Sequence, residues 1–224
     1  GGPSPVRAAA LPLGVGVQAI AAVDIDLDGN DDVIALAQRP SIELIRLDAA
    51  LAVRDRTPFE LQAPREVITA DIDADGHADA VIAGATVVAL RSSAEGAREL
   101  FPVLPAELHH LSAFDVDGDG HVDLVGFAGG ALDAWLQKPG PTFERQALCP
   151  AEALPPGLAA LTLTGLAHLE GKPRASLLGL RTLPGSPQHV ELDVFECGAG
   201  IEPALNAPTE TLPDAPLPLT FDAN

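Results

Sequence analysis

The sequence predicts an all-β repeat fold built from four-stranded antiparallel units. Three observations carry that prediction. A nine-residue acidic motif, D-x-D-x-D-G-x-x-D, occurs three times; its copies are almost evenly spaced; and short apolar runs flank each copy. The copies start at Asp24, Asp71 and Asp115, 47 and 44 residues apart. A period of that size belongs to architectures in which one four-stranded sheet recurs around an axis, so the chain is expected to form the blades of a β-propeller.

The strands follow in order. Before the motifs lie Val17–Val23, Val67–Ala70 and Leu111–Phe114; after them lie Val33–Leu36, Ala80–Ala83 and Leu124–Phe127. These runs are too short for helices and are bounded by turn residues, so each motif joins two strands as a hairpin. They are almost wholly apolar rather than alternating, which predicts sheets covered on both faces. Two further strands complete each unit: Ser41–Leu47 and Phe59–Leu61, Thr86–Arg91 and Arg98–Val103, Leu132–Leu136 and Thr142–Ala147.

The motif carries the chemistry. Four carboxylates within nine residues repel one another unless a cation lies among them, and an all-oxygen donor set selects calcium over zinc or copper. In such a loop the carboxylates at positions 1, 3 and 5 converge, Gly at position 6 allows the reversal, the carbonyl of position 7 faces inward and Asp at position 9 closes the cage. The predicted ligands are Asp24, Asp26, Asp28, Asn30 and Asp32; Asp71, Asp73, Asp75, His77 and Asp79; and Asp115, Asp117, Asp119, His121 and Asp123. Asn30, His77 and His121 contribute their backbone carbonyls, with side chains toward solvent. An EF-hand opens in the same way but needs Glu at position 12, where this chain has Ala35, Ile82 and Gly126. Three Ca²⁺ sites are therefore expected.

A fourth unit keeps the spacing without the ligands. Aligning Glu170-Gly171 with the Asp-Gly of the loop puts Leu166 at position 1, His168 at position 3 and Arg174 at position 9, which predicts a metal-free blade. The expected organisation is a repeat domain over 1–207, with units at about 15–62, 63–105, 106–150 and 156–207. Residues 208–224 form either a Pro-rich tail or the start of a fifth motif at Asp222. With no Met and a Gly-Gly start, the chain reads as a processed, engineered or excised segment.

Composition narrows the setting. The formal charge is −19, and three divalent cations would raise −19 only to −13, which disfavours nucleic acid and anionic membranes. No apolar stretch reaches membrane-spanning length. Calcium loops of modest affinity suit an extracellular, cell-surface or periplasmic home. Cys149 and Cys197 either bridge the third and fourth units or are two buried free thiols.

The D-x-D-x-D-G-x-x-D loop between apolar strands, repeated at blade spacing, resembles the FG-GAP and VCBS repeats of integrin α-subunit propellers and of bacterial surface or secreted proteins. Val81-Ile-Ala-Gly84-Ala85 is similar to that family's V-x-V-G-A-P segment. The resemblance spans about residues 15–200. It implies a calcium-stabilised propeller used for extracellular recognition.

No catalytic motif stands at a diagnostic spacing, so the chain reads as a non-catalytic binding, adhesion or scaffolding module for a protein partner. His109-His110 and His189 are read as structural or surface residues. The alternative is a carbohydrate-binding propeller, or an accessory domain of a secreted enzyme. Sugars stack on aromatic rings, and this chain has one Trp, no Tyr and seven Phe. Trp135 is either a platform for a sugar or part of the core.

Overall fold

The computed structural model of the protein describes residues 12–13, 16–38, 41–97, 99–139 and 142–149 fully, and 162–167, 176–182 and 190–196 as backbone strands. The chain divides into two compact units, Gly1–Ala151 and Glu152–Asn224. All regular structure among the described residues is β.

The first unit holds three four-stranded antiparallel sheets. Their strands run consecutively: β1 (Ala19–Val23), β2 (Asp32–Leu36), β3 (Ile42–Leu47) and β4 (Val53–Phe59); β5 (Glu66–Ala70), β6 (Asp79–Ala83), β7 (Val87–Leu90) and β8 (Phe101–Leu104); β9 (His109–Phe114), β10 (Asp123–Ala128), β11 (Ala131–Lys138) and β12 (Thr142–Cys149). The first strands lie side by side in chain order, β1 against β5 and β5 against β9.

Residue pairing puts the acidic motifs where the sequence predicts them. Val23 faces Asp32, Ala70 faces Asp79 and Phe114 faces Asp123, so each motif closes a hairpin and its ninth residue opens the second strand. The middle sheet is covered on both faces, as its unbroken apolar strands require. Ala80, Ile82, Val88 and Leu90 pack toward the first sheet with Ile34, Leu36, Ile42 and Leu44. The alternate residues Val81, Ala83, Val87 and Ala89 pack toward the third sheet with Leu111, Leu124 and Trp135. Strand alternation thus makes one sheet the shared wall of two cores.

Two strand predictions shift. The fourth strand of the first sheet is Val53–Phe59 rather than Phe59–Leu61, and that of the second is Phe101–Leu104 rather than Arg98–Val103. The cause is exposure: Val53–Pro58 lies at a sheet edge with mostly solvent-facing residues, so Val-Arg-Asp-Arg-Thr-Pro carries no apolar signal.

The second unit contains a three-stranded sheet, β13 (Thr162–Ala167), β14 (Ser176–Thr182) and β15 (Val190–Glu196). The expectation of four four-stranded blades is therefore corrected: the described residues hold three such sheets and one of three strands. Period assigns room for a strand, not the strand itself. Residues 197–224 lie outside the described part. Ala167 pairs with Ser176, the counterpart of Val23 with Asp32. This register puts Ser176, not Arg174, at the position of the closing Asp, and moves position 1 from Leu166 to His168. His168, Glu170 and Arg174 themselves lie outside the described residues.

Candidate metal centres

Each acidic motif is first shaped by its own backbone. The position-1 carboxylate accepts N–H bonds from positions 5 and 6: Asp24 from Asp28 and Gly29, Asp71 from Asp75 and Gly76, Asp115 from Asp119 and Gly120. The position-5 carboxylate accepts from the N–H of position 7, at 2.9 Å in Asp28 and Asp75 and 2.8 Å in Asp119. The tight winding requires left-handed backbone at two places. Gly29, Gly76 and Gly120 have φ of 88°, 90° and 88°, and no atom lies within 4 Å of where a Cβ would stand, so conformation rather than space demands glycine there. Position 4 is left-handed as well: Leu27 (56°), Ala74 (59°) and Gly118 (79°). The sequence motif contains no signal for that second position.

The closing aspartate ties the loop to the sheet. Asp32, Asp79 and Asp123 are fully buried, and each accepts an N–H from the end of the third strand or the residues just after it: Leu47 (2.8 Å), Ser92 (2.7 Å) and Gln137 (2.8 Å). The second oxygen of Asp79 and of Asp123 accepts from position 2, Ile72 and Val116. Ile25 and Ile72, also at position 2, are fully buried and plug the loop into the two cores. Burial pushes the carboxyls of Asp32 and Asp79 up to about 6, opposed by these N–H donors and reinforced by neighbouring aspartates; Asp123 moves up for the same reasons.

Three carboxylates converge in every loop, with one oxygen of each within 4.8 Å of the others: Asp24, Asp26 and Asp28; Asp71, Asp73 and Asp79; Asp115, Asp117 and Asp123. Asp32, Asp75 and Asp119 from the predicted sets stand outside these groups. Within these groups two buried oxygens, Asp26 Oδ1 and Asp73 Oδ1, have no hydrogen-bond partner in the structure. A buried carboxylate oxygen left bare is costly, and a cation removes that cost. An all-oxygen set of this kind can hold a metal ion, and its hardness suits Ca²⁺ or Mg²⁺ over thiophilic metals.

The position-7 side chains differ. His77 is exposed and His121 and Asn30 are half-buried; Asn30 donates from Nδ2 to Asp28 at 2.7 Å. That bond is the largest influence lowering the Asp28 carboxyl below its ordinary value. An open cleft of about 260 Å³ lies between the first two loops, lined by Asp24, Leu27, Asp31, Thr69 and His77.

Sequence reasoning missed three basic residues. Arg54 pairs with Asp28 and lies 3.9 Å from Asp26; Arg91 pairs with Asp73; Lys138 Nζ lies 3.7 Å from Asp117. Trp135 is 5% exposed and packed in the core with Leu108, Leu111 and Leu124, so it presents no open stacking platform. His110 meets the Phe127 ring edge-on at 6.0 Å, and His109 lies 3.6 Å from Glu107. His189 and Cys197 lie outside the described residues; Cys149 is disulfide-bonded.

No family model matches the sequence, and no curated protein matches it. Solved structures do. An Agrocybe aegerita lectin, described by its recognition of non-reducing terminal N-acetylglucosamine, is similar at TM-score 0.50 and 15% identity over 80% of this chain and 50% of the lectin. The V. cholerae biofilm matrix protein Bap1 is similar at TM-score 0.41 and 21% identity, over 82% of this chain and 27% of that protein. The chain thus spans about half the lectin's length, and what it shares with the lectin is the fold.

Proposed function

We propose that this chain is a calcium-stabilised, non-catalytic binding or scaffolding module of an extracellular or cell-surface protein, built as propeller blades of the FG-GAP/VCBS kind. One observation carries the reading: in three successive hairpins the carboxylates of positions 1 and 3 converge with a third, that of position 5 in the first loop and of position 9 in the other two, and the first two loops leave a buried oxygen of position 3 bare. A cation is the simplest completion of such a cage. The full ligand sets are then positions 1, 3, 5 and 9 with the carbonyls of Asn30, His77 and His121. The first two loops flank the open cleft, which gives a partner protein a polar surface near rigid, metal-clamped turns.

Calcium acts here as structure. Each site that binds the folded chain alone adds RT ln(1 + [L]/Kd), about 2.7 kcal/mol at a hundredfold excess over Kd. Calorimetric titration of the metal-free protein is expected to give three Ca²⁺ per chain, and excess EGTA to lower Tm by several degrees. An unchanged melt in EGTA would sink the structural role.

Carbohydrate binding is a second reading, favoured by the fold shared with the lectin. Its test is a titration with glycans ending in N-acetylglucosamine. With Trp135 in the core, its fluorescence should stay fixed even if a sugar binds, so calorimetry is the readout that decides.

A further inference from the structure

The three basic residues on the acidic loops reach them by different routes. Arg54 is the residue left over where the pairing of β3 with β4 slips, Arg46 facing Asp55 and Leu47 facing Val53. Such a bulge re-aims a side chain, here onto Asp28 and toward Asp26. Arg91 precedes Ser92, whose N–H is tied to Asp79, and its guanidinium lies 4.8 Å over the Phe101 ring. Lys138 follows Gln137, whose N–H is tied to Asp123. Unrelated positions have thus converged on one arrangement.

The arrangement splits the position-3 carboxylate between two tasks. Arg54, Arg91 and Lys138 all face Oδ2 of Asp26, Asp73 or Asp117. In Asp26 and Asp73 the other oxygen, Oδ1, is buried and bare. In those two loops the base therefore leaves one buried oxygen of the position-3 carboxylate open. An ion can enter without displacing it, yet enters with a fixed positive charge close by.

We propose that Arg54, Arg91 and Lys138 are built-in counter-cations of the three loops, holding each loop folded without metal and limiting how tightly it takes the ion. The proposal rests on the calcium reading above. Two opposed effects follow from one charge: attraction to the carboxylates steadies the metal-free loop, and repulsion of the incoming cation lowers affinity. The second loop feels both most strongly, because Asp73 is 9% exposed against 31% for Asp117, and Phe101 holds Arg91 in place. The effects rank Arg91, then Arg54, then Lys138.

The test is calcium calorimetry on the full chain in an Asp26→Asn, Asp117→Asn background, which keeps the second loop's carboxylates complete. Arg91→Gln is expected to tighten Ca²⁺ binding on the order of tenfold at low salt and to lower Tm in calcium-free buffer, with Arg91→Lys restoring both. A role in merely orienting Asp73 would weaken binding and lower Tm together, and that result, or an unchanged affinity, overturns the proposal. Should Arg91→Gln not fold, Arg54→Gln in an Asp73→Asn, Asp117→Asn background carries the same two readouts, since Arg54 is 47% exposed. Failure of the wild-type chain to take up any Ca²⁺ defeats the calcium reading itself, whereas a wild type that binds three ions alongside unresponsive variants defeats this inference alone.

Discussion

The second and third acidic loops have the same four aspartates and the same glycine, yet they sit differently in the molecule. Asp73 is largely buried, its loop winds through a left-handed alanine, and an arginine held over Phe101 faces it. Asp115 and Asp117 are exposed, Gly118 supplies the left-handed residue without strain, and the nearest base is a lysine at 3.7 Å. The closing aspartate is alike in both, fully buried and bonded to two backbone N–H groups, and so are the N–H bonds from positions 5 and 6 to the position-1 carboxylate. The motif therefore specifies how a loop is closed, while its neighbours set how much strain and charge it carries.

The likeness can be broken hardest at the closing residue. Asp79→Ala strips the acceptor from Ile72 and Ser92 in the interior, and Asp123→Ala does the same to Val116 and Gln137. Each substitution should cost about 3 kcal/mol, read from urea denaturation. Near-equal losses support the shared role, and a loss confined to one loop would show that the two closures are not equivalent.

A smaller effect comes from pH. The Asp32 and Asp79 carboxyls are pushed up to about 6 in the folded chain, from an ordinary 3.8. The folded state then holds more protons than the unfolded state between those values, so the metal-free protein loses stability as pH rises from about 4 through 6. Calcium needs the ionised carboxylates, so its contribution moves the other way. In calcium-free buffer Tm should be higher at pH 5 than at pH 7, and saturating Ca²⁺ should reverse the order; Asp79→Asn should flatten part of the metal-free slope.

The smallest effect sharpens the difference in backbone. Ala74→Gly should stabilise the second loop by up to about 1 kcal/mol, and Gly118→Ala should destabilise the third by about as much, because an L side chain is disfavoured in left-handed backbone. Thermal melts of the pair would settle it; gains or losses of the same sign would contradict the assignment of strain.

Much of this was legible in the chain. The hairpins, their register and the burial of both faces of the middle sheet follow from short apolar runs on either side of an eight-residue turn. Val53–Phe59 was not legible, since an exposed edge strand needs no apolar residues. Nor were the counter-cations: Arg46 is placed in the chain relative to Leu47 as Arg91 is to Ser92, yet it pairs with Asp55 at 3.0 Å, and a bulge sends Arg54 to the loop instead.

By itself the sequence determined the local chemistry: which residues crowd negative charge, where glycine permits reversal, and how far apart the repeats stand. These depend on residues close in the chain, whose geometry covalent structure restricts. Tertiary structure alone decided which bases face those charges, which carboxylate oxygens are left bare, and that Trp135 belongs to the core. Those outcomes depend on groups brought together from distant positions, where one bulge or a one-residue change of register redirects a side chain.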